Sequence, residues 1–187
     1  MKKHVAATLL VITVLGVTAA HLSVEQHDNG WLLVVDGRRH DAIGTVREAM
    51  LRLTRQCAPV RDARGEPALA AAALAAVRNY SPPDSASARL LQLQAAPGWL
   101  LAEVEFERLF PAVVLLREAA PSGPAQAGTA PSVTSWPAWQ IEERAIWSGL
   151  THPWKAAPLI RDYLHARVPD LPAPLLDCFE PRASGLR

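Results

Sequence analysis

The chain contains little that commits it to a chemistry. Of its 187 residues only two are cysteine, three phenylalanine and two tyrosine, which fits neither a cysteine-rich metal centre nor a scaffold stapled by many disulfides. Neither sign of charge prevails, with 19 Lys plus Arg against 18 Asp plus Glu and a formal net charge of +1. A nucleic-acid partner or an anionic membrane face demands a concentrated basic patch, so neither is assigned. Signature motifs are missing too. The sequence holds no G-x-S-x-G, S-x-x-K, H-E-x-x-H, G-x-x-x-x-G-K-[ST] or G-x-G-x-x-G. A triad assembled from distant residues leaves no such trace.

What is present starts at the N-terminus. Met1-Lys2-Lys3-His4 is cationic, Val5 to Ala20 is uncharged and largely apolar, and the run ends in Val17-Thr18-Ala19-Ala20. This is the layout of a secretory signal. At a rise of 1.5 Å per residue the run covers about 24 Å, short of the roughly 30 Å of bilayer hydrocarbon. Cleavage after Ala19 or Ala20 is expected, bringing the formal net charge to about −1 by loss of Lys2 and Lys3. The alternative is an uncleaved N-terminal membrane anchor, continued through His21-Leu22 with Lys2 and Lys3 reaching the headgroups. Membrane contact is then confined to residues 1–20. The cations are almost all Arg, and Ala and Pro abound, as in a GC-rich bacterial genome, which makes the compartment a periplasm. Cys57 and Cys178, an even pair in an oxidising compartment, are expected to form one disulfide. In the chain-entropy model so long a loop is worth roughly 4 to 5 kcal/mol. Two separate buried thiols are the alternative.

Residues 21–187 are expected to form one exported α+β domain. Trp31-Leu32-Leu33-Val34-Val35 lies between Asp28-Asn29-Gly30 and Asp36-Gly37, turn signals that predict a short strand with a neighbour on either side. A helix follows, with His40-Asp41 in the loop before it, Asp41 helping its start, and Thr45-Val46-Arg47-Glu48 as capping box. Its stripe of Ile43, Val46, Met50, Leu53 and Cys57 is expected to point inward. Glu66-Pro67 opens a second helix, nearly all Ala, that Pro82-Pro83 stops. From Ala88 to Arg117 the period changes to two, predicting three antiparallel strands joined at Pro97-Gly98 and Phe110-Pro111. In the middle one, Leu100, Ala102, Val104 and Phe106 share one face, and Leu101, Glu103, Glu105 and Glu107 the other. The glutamates predict a wet face toward the strand's C-terminal end, with Arg89, Arg108 or Arg144 as partners.

Residues 119–135, rich in Pro, Ala, Ser and Gly, are expected to be a flexible connecting loop. The segment Trp139 to Trp147 predicts a fourth strand, Pro158 opens a final short helix, and Leu175, Leu176, Cys178 and Phe179 dock a Pro-rich tail. The expected fold is thus α+β: two N-terminal helices packed on a four-stranded antiparallel meander, plus a C-terminal helix. In element order this resembles cystatin-like and nuclear-transport-factor-2-like α+β folds. Such folds occur in periplasmic subunits of secretion machines, in binding proteins and in enzymes, so the resemblance implies an architecture and no single function.

No His pairs with another His or a Cys at ligand spacing, so no metal or cofactor is assigned. The strongest candidate region is the aromatic segment, where Trp136, Trp139, Ser148, His152 and Trp154 are the expected partner-binding surface. Trp139 and Trp147, eight apart on a strand, are expected on one side, with Trp154 partly exposed beyond them. The expected function is a non-enzymatic periplasmic binding or accessory subunit with a protein partner in the cell envelope. The alternatives are a small secreted hydrolase and an inhibitor or immunity protein. A deep pocket uniting His40 or His152 with a carboxylate and a Ser favours the hydrolase, and a groove without such a cluster favours binding.

Overall fold

The computed structural model describes residues 21–119 and 138–183. The leader, Trp136 and nearly all of the connector expected at 119–135 lie outside them. The chain is α+β, as expected, but its strands form two antiparallel sheets rather than one four-stranded meander.

The first sheet is a three-stranded meander of β1 (Leu22–His27), β2 (Gly30–Val35) and β3 (Arg38–His40). Asp36 and Gly37 both have positive φ, 50° and 74°, as the tight hairpin turn between β2 and β3 requires. Leu32 and Val34 turn inward and are buried. The opposite face leaves Leu22, Val24 and Trp31 exposed.

The second sheet has the order β4 (Arg61–Asp62), β5 (Arg89–Ala96), β6 (Trp99–Glu105), β7 (Ala112–Glu118) and β8 (Trp139–Ser148). Two charged residues give β4 no hydrophobic period, so nothing in its sequence announces a strand. Helix α2 (Pro67–Tyr80) covers one face, packing Leu69, Ala73 and Val77 on Leu93, Leu100, Val104 and Leu116. Helices α3 (Ala156–Arg167) and α4 (Ala173–Asp177) cover the other, with Ile160, Leu164, Leu175 and Phe179 on Leu101, Val113, Leu115 and Trp147. Coverage of both faces buries β6 and β7 nearly throughout, in the manner of a sheet between helix layers.

That layering corrects the expected wet face. Glu103 is fully buried, and its carboxylate accepts backbone N–H bonds from Arg182 (2.9 Å) and Ala183 (2.7 Å) as the C-terminal segment crosses β6. Only from the strand's last residue onward does the acidic face reach water, where Glu105 pairs with cross-strand Arg89 at 3.0 Å and Glu107 is exposed.

Helix α1 (Ala42–Thr54) departs furthest from expectation. It packs mainly on β2 and α3 and adds no residue to either core cluster of the large sheet, so of the two N-terminal helices it is α2 that covers that sheet. Asp41 starts it as expected, its carboxylate accepting from Gly44 N at 2.7 Å, but the Thr45–Glu48 box does not cap it. The helix ends before Cys57. Its expected inward stripe faces out, with Ile43, Val46, Met50 and Leu53 exposed by 53%, 53%, 64% and 87%. The inward positions are Gly44 and Glu48.

Trp139 and Trp147 do not share a side. Val114 pairs with Ile146 but Leu116 with Ile141, so a bulge places an odd number of extra residues in β8 and flips the alternation. Trp147 joins the core under α3, and Trp139 packs against the core under α2.

Cys57 and Cys178 form the expected disulfide, with Cα atoms 5.7 Å apart across a sequence separation of 121. It ties the segment after α1 to the end of α4. Replacing both cysteines with alanine is expected to lower stability by about 2 to 4 kcal/mol in denaturant unfolding.

Candidate functional site

Three features converge on α1: a buried ion pair on its inner face, cavities beside it and the apolar stripe outside. Glu48 and Arg161 are each 8% exposed and meet in a two-pronged pair at 2.8 and 3.0 Å. Two further guanidinium N–H groups donate to the carbonyls of Leu176 (2.9 Å) and Phe179 (3.2 Å). One side chain thus fastens α1, α3 and the end of α4. Burial pushes the Glu48 carboxyl up, but its bonds to Arg161 and the charges of Arg161, Arg52 and Arg55 outweigh that and hold it below the usual glutamate value.

Next to this pair opens a cavity of about 810 Å³, walled by Thr45, Glu48 and Arg52 of α1, Gln92 and Gln94 of β5, the start of α3 and the segment Cys178 to Arg182. A smaller cavity of about 210 Å³ lies past the disulfide and shares Arg55, Gln92, Gln94, Cys178 and Arg182 with it. A third, of about 580 Å³, contains His40, Asp41, His152, Pro153 and Trp154, and shares Thr45 and Lys155 with the first.

The third cavity brings together two residues expected to bind a partner, His152 and Trp154. His152 is exposed and Trp154 half-buried, with its ring edge-on to His27 at 6.1 Å. Ser148, exposed at the end of β8, lines none of the three cavities, and neither does Trp139, whose indole Nε1 is buried without a hydrogen-bond partner. Trp136 lies outside the described residues. Of the expected surface, His152 and Trp154 thus share one cavity, and Ser148 and Trp139 are not among its lining residues.

His40 and His152 do share a cavity with a carboxylate, the arrangement that favours a hydrolase. That carboxylate is already committed: Asp41 accepts from Gly44 N and, at 2.9 Å, from Lys155 N, joining the start of α1 to the start of α3. The cavity's hydroxyl, on Thr45, donates to the Asp41 carbonyl at 2.7 Å. Among the described residues no hydrogen bond links either histidine to a carboxylate, and no group of three His, Cys, Asp or Glu is placed to hold a metal.

Sequence reasoning missed Glu48, Arg161, Gln92 and Gln94. Gln92 and Gln94 alternate with apolar neighbours, the ordinary mark of a solvated face. Arg161 sits beside Ile160 in a helix whose polar positions look like its outside. Comparison of the chain with family models, curated proteins and solved structures finds no match.

Two outcomes follow from this geometry. A side chain at Gly44 would collide with the Asp41 carboxylate, so Gly44→Ala is expected to destabilise by about 1 to 3 kcal/mol, against the roughly 1 kcal/mol that helix propensity alone would return. Because the Glu48 pKa is lower folded than unfolded, its stabilisation is complete above the unfolded value of about 4.3 and is lost as pH falls through the folded value. Thermal melts from neutral pH down to about 3 should show the melting temperature of the wild type falling more steeply than that of Glu48→Gln. At neutral pH that variant should already be weaker by about 3 to 5 kcal/mol, since it leaves Arg161 buried without its counter-charge.

Proposed function

We propose that the chain is a non-enzymatic binding or accessory subunit of a bacterial envelope complex, exported to the periplasm, and that α1 is its docking element. The observation that carries this is the outward stripe of Ile43, Val46, Met50 and Leu53. Its steps of three, four and three match the a and d positions of a helix seam. The partner element that fits is an amphipathic helix of a second envelope protein. Beside the stripe, Arg47 is exposed but already paired with Asp162 at 2.8 Å, and the helix's one carboxylate, Glu48, is buried, so the apolar row carries the recognition.

Trp31 and Ile43 border a common small cavity, which extends the apolar patch onto β2. Contiguous apolar surface of this kind marks interaction sites on soluble domains. The disulfide is compatible with an extracellular or periplasmic location, and no helix among the described residues is long and apolar enough to cross a membrane.

The test is Val46→Asp with Leu53→Asp. Both positions are exposed, so stability should change by no more than about 0.5 kcal/mol for each. In native electrophoresis of envelope extracts the wild type should migrate with an assembly heavier than its own mass, and the double variant as a monomer. A wild type that migrates alone contradicts the proposal. So does a purified chain that self-associates through this stripe, because a second copy then takes the place of the second protein.

A further inference from the structure

We infer that the cavity between α1 and β5 is a binding site for a small organic acid bearing N–H or O–H donors beside its carboxylate. This stands on residues other than the docking stripe and does not depend on it.

The sheet face covered by α3 and α4 changes character from β7 to β5. On β7 and β6 it presents Val113, Leu115 and Leu101. Farther along β6 it presents Glu103, opposite which β5 places Gln92, with Gln94 opposite Leu101. The C-terminal segment engages part of this polar patch: its N–H groups serve Glu103, and the Gln94 amide donates to the Cys178 carbonyl at 2.9 Å. Three residues that line the cavity each carry an atom closed off from solvent and without a hydrogen-bond partner: Gln92 Oε1, Gln94 Oε1 and Arg55 Nη1. Gln92 as a whole is only 3% exposed. An unmade bond at a buried polar group costs that group's full desolvation, whereas leucine or methionine would fill the same space at no such cost. The terminal torsion of a glutamine is broad, so a small rotation presents its oxygen to a ligand in the cavity.

The unpartnered atoms specify the ligand. Two acceptors call for N–H or O–H groups, and one guanidinium donor calls for an oxygen. Charge favours an anion. Glu48 is engaged by Arg161, and Glu180 by Arg55 at 2.7 Å and Arg52 at 3.4 Å. Lys155 and Arg182 line the same cavity, and the ion pair of Arg182 with Asp62 is a long 4.0 Å. A volume of about 810 Å³ is in the range of small-ligand pockets. An acidic dipeptide or a sugar acid has this chemistry. A bare anion such as sulfate has the charge without the donors.

The experiment is calorimetric titration of the oxidised protein with alanylglutamate, with glucuronate and with sulfate. At least one organic acid should bind, sulfate should bind about tenfold more weakly or not at all, and which acid binds tells whether the natural ligand is peptide-like or sugar-like. Arg182→Ala should weaken binding about tenfold, as expected for one charged hydrogen bond. Gln92→Leu should abolish the preference over sulfate with no fall in melting temperature. Arg39→Ala, in the neighbouring cavity, should change nothing. The inference is overturned if neither acid binds at up to about 10 mM, if sulfate binds equally well, or if Arg182→Ala leaves affinity unchanged. That last comparison also decides the matter should Gln92→Leu fail to fold.

Discussion

The buried pair of Glu48 and Arg161 sets the orientation of helix α1, and much of the molecule follows from it. A charged side chain enters the interior only with a partner and with its remaining hydrogen bonds made. Arg161 meets both conditions by taking both Glu48 oxygens and the carbonyls of Leu176 and Phe179. Once Glu48 points inward, the 100° step of the helix sends Ile43, Val46, Met50 and Leu53 outward. The same pair places Glu48 in the wall of the large cavity and braces the segment that the disulfide anchors at Cys178. Interior charge, exterior apolar stripe and cavity are three consequences of one contact.

Much of the architecture was legible where local chemistry and period agree. The turn at Asp36-Gly37, the strand from Gly30 to Val35, the alanine-rich helix and the three strands from Arg89 to Glu118 each carry their own signal. So does the disulfide, because two cysteines in a chain read as exported have few other expected uses. What stayed hidden depends on partners distant in sequence. Amphipathicity shows that α1 has two faces but not which one the core takes, and Arg161 lies 113 residues from Glu48. The alternation of β6 was read correctly, yet the peptide N–H groups that bury Glu103 come from a segment 79 and 80 positions away. A bulge has no sequence mark in β8, so the eight-residue spacing of its tryptophans pointed to one face when they occupy two.

The candidate site was legible only in fragments. His152 and Trp154 do come together, beside His40, but the cavity's carboxylate serves as a helix cap and a strut to α3. Gln92 and Gln94 resembled solvated positions because strand periodicity cannot distinguish water from a polar cavity. Both proposed contacts use α1, with the stripe for a partner helix and the opposite flank, at Thr45 and Arg52, for a small acid. The domain is thus built around one helix whose polar side faces in.

Oxidation of Met50 tests that account most directly. Met50 and Met1 are the only methionines, so mass spectrometry after brief exposure to dilute peroxide reports on the stripe almost alone. In the isolated protein Met50 should be oxidised as fast as a free methionine, and in intact envelopes it should be protected. Slow oxidation in the isolated protein would mean that the stripe packs inside after all. Equal, fast oxidation in both settings would mean that nothing docks on it.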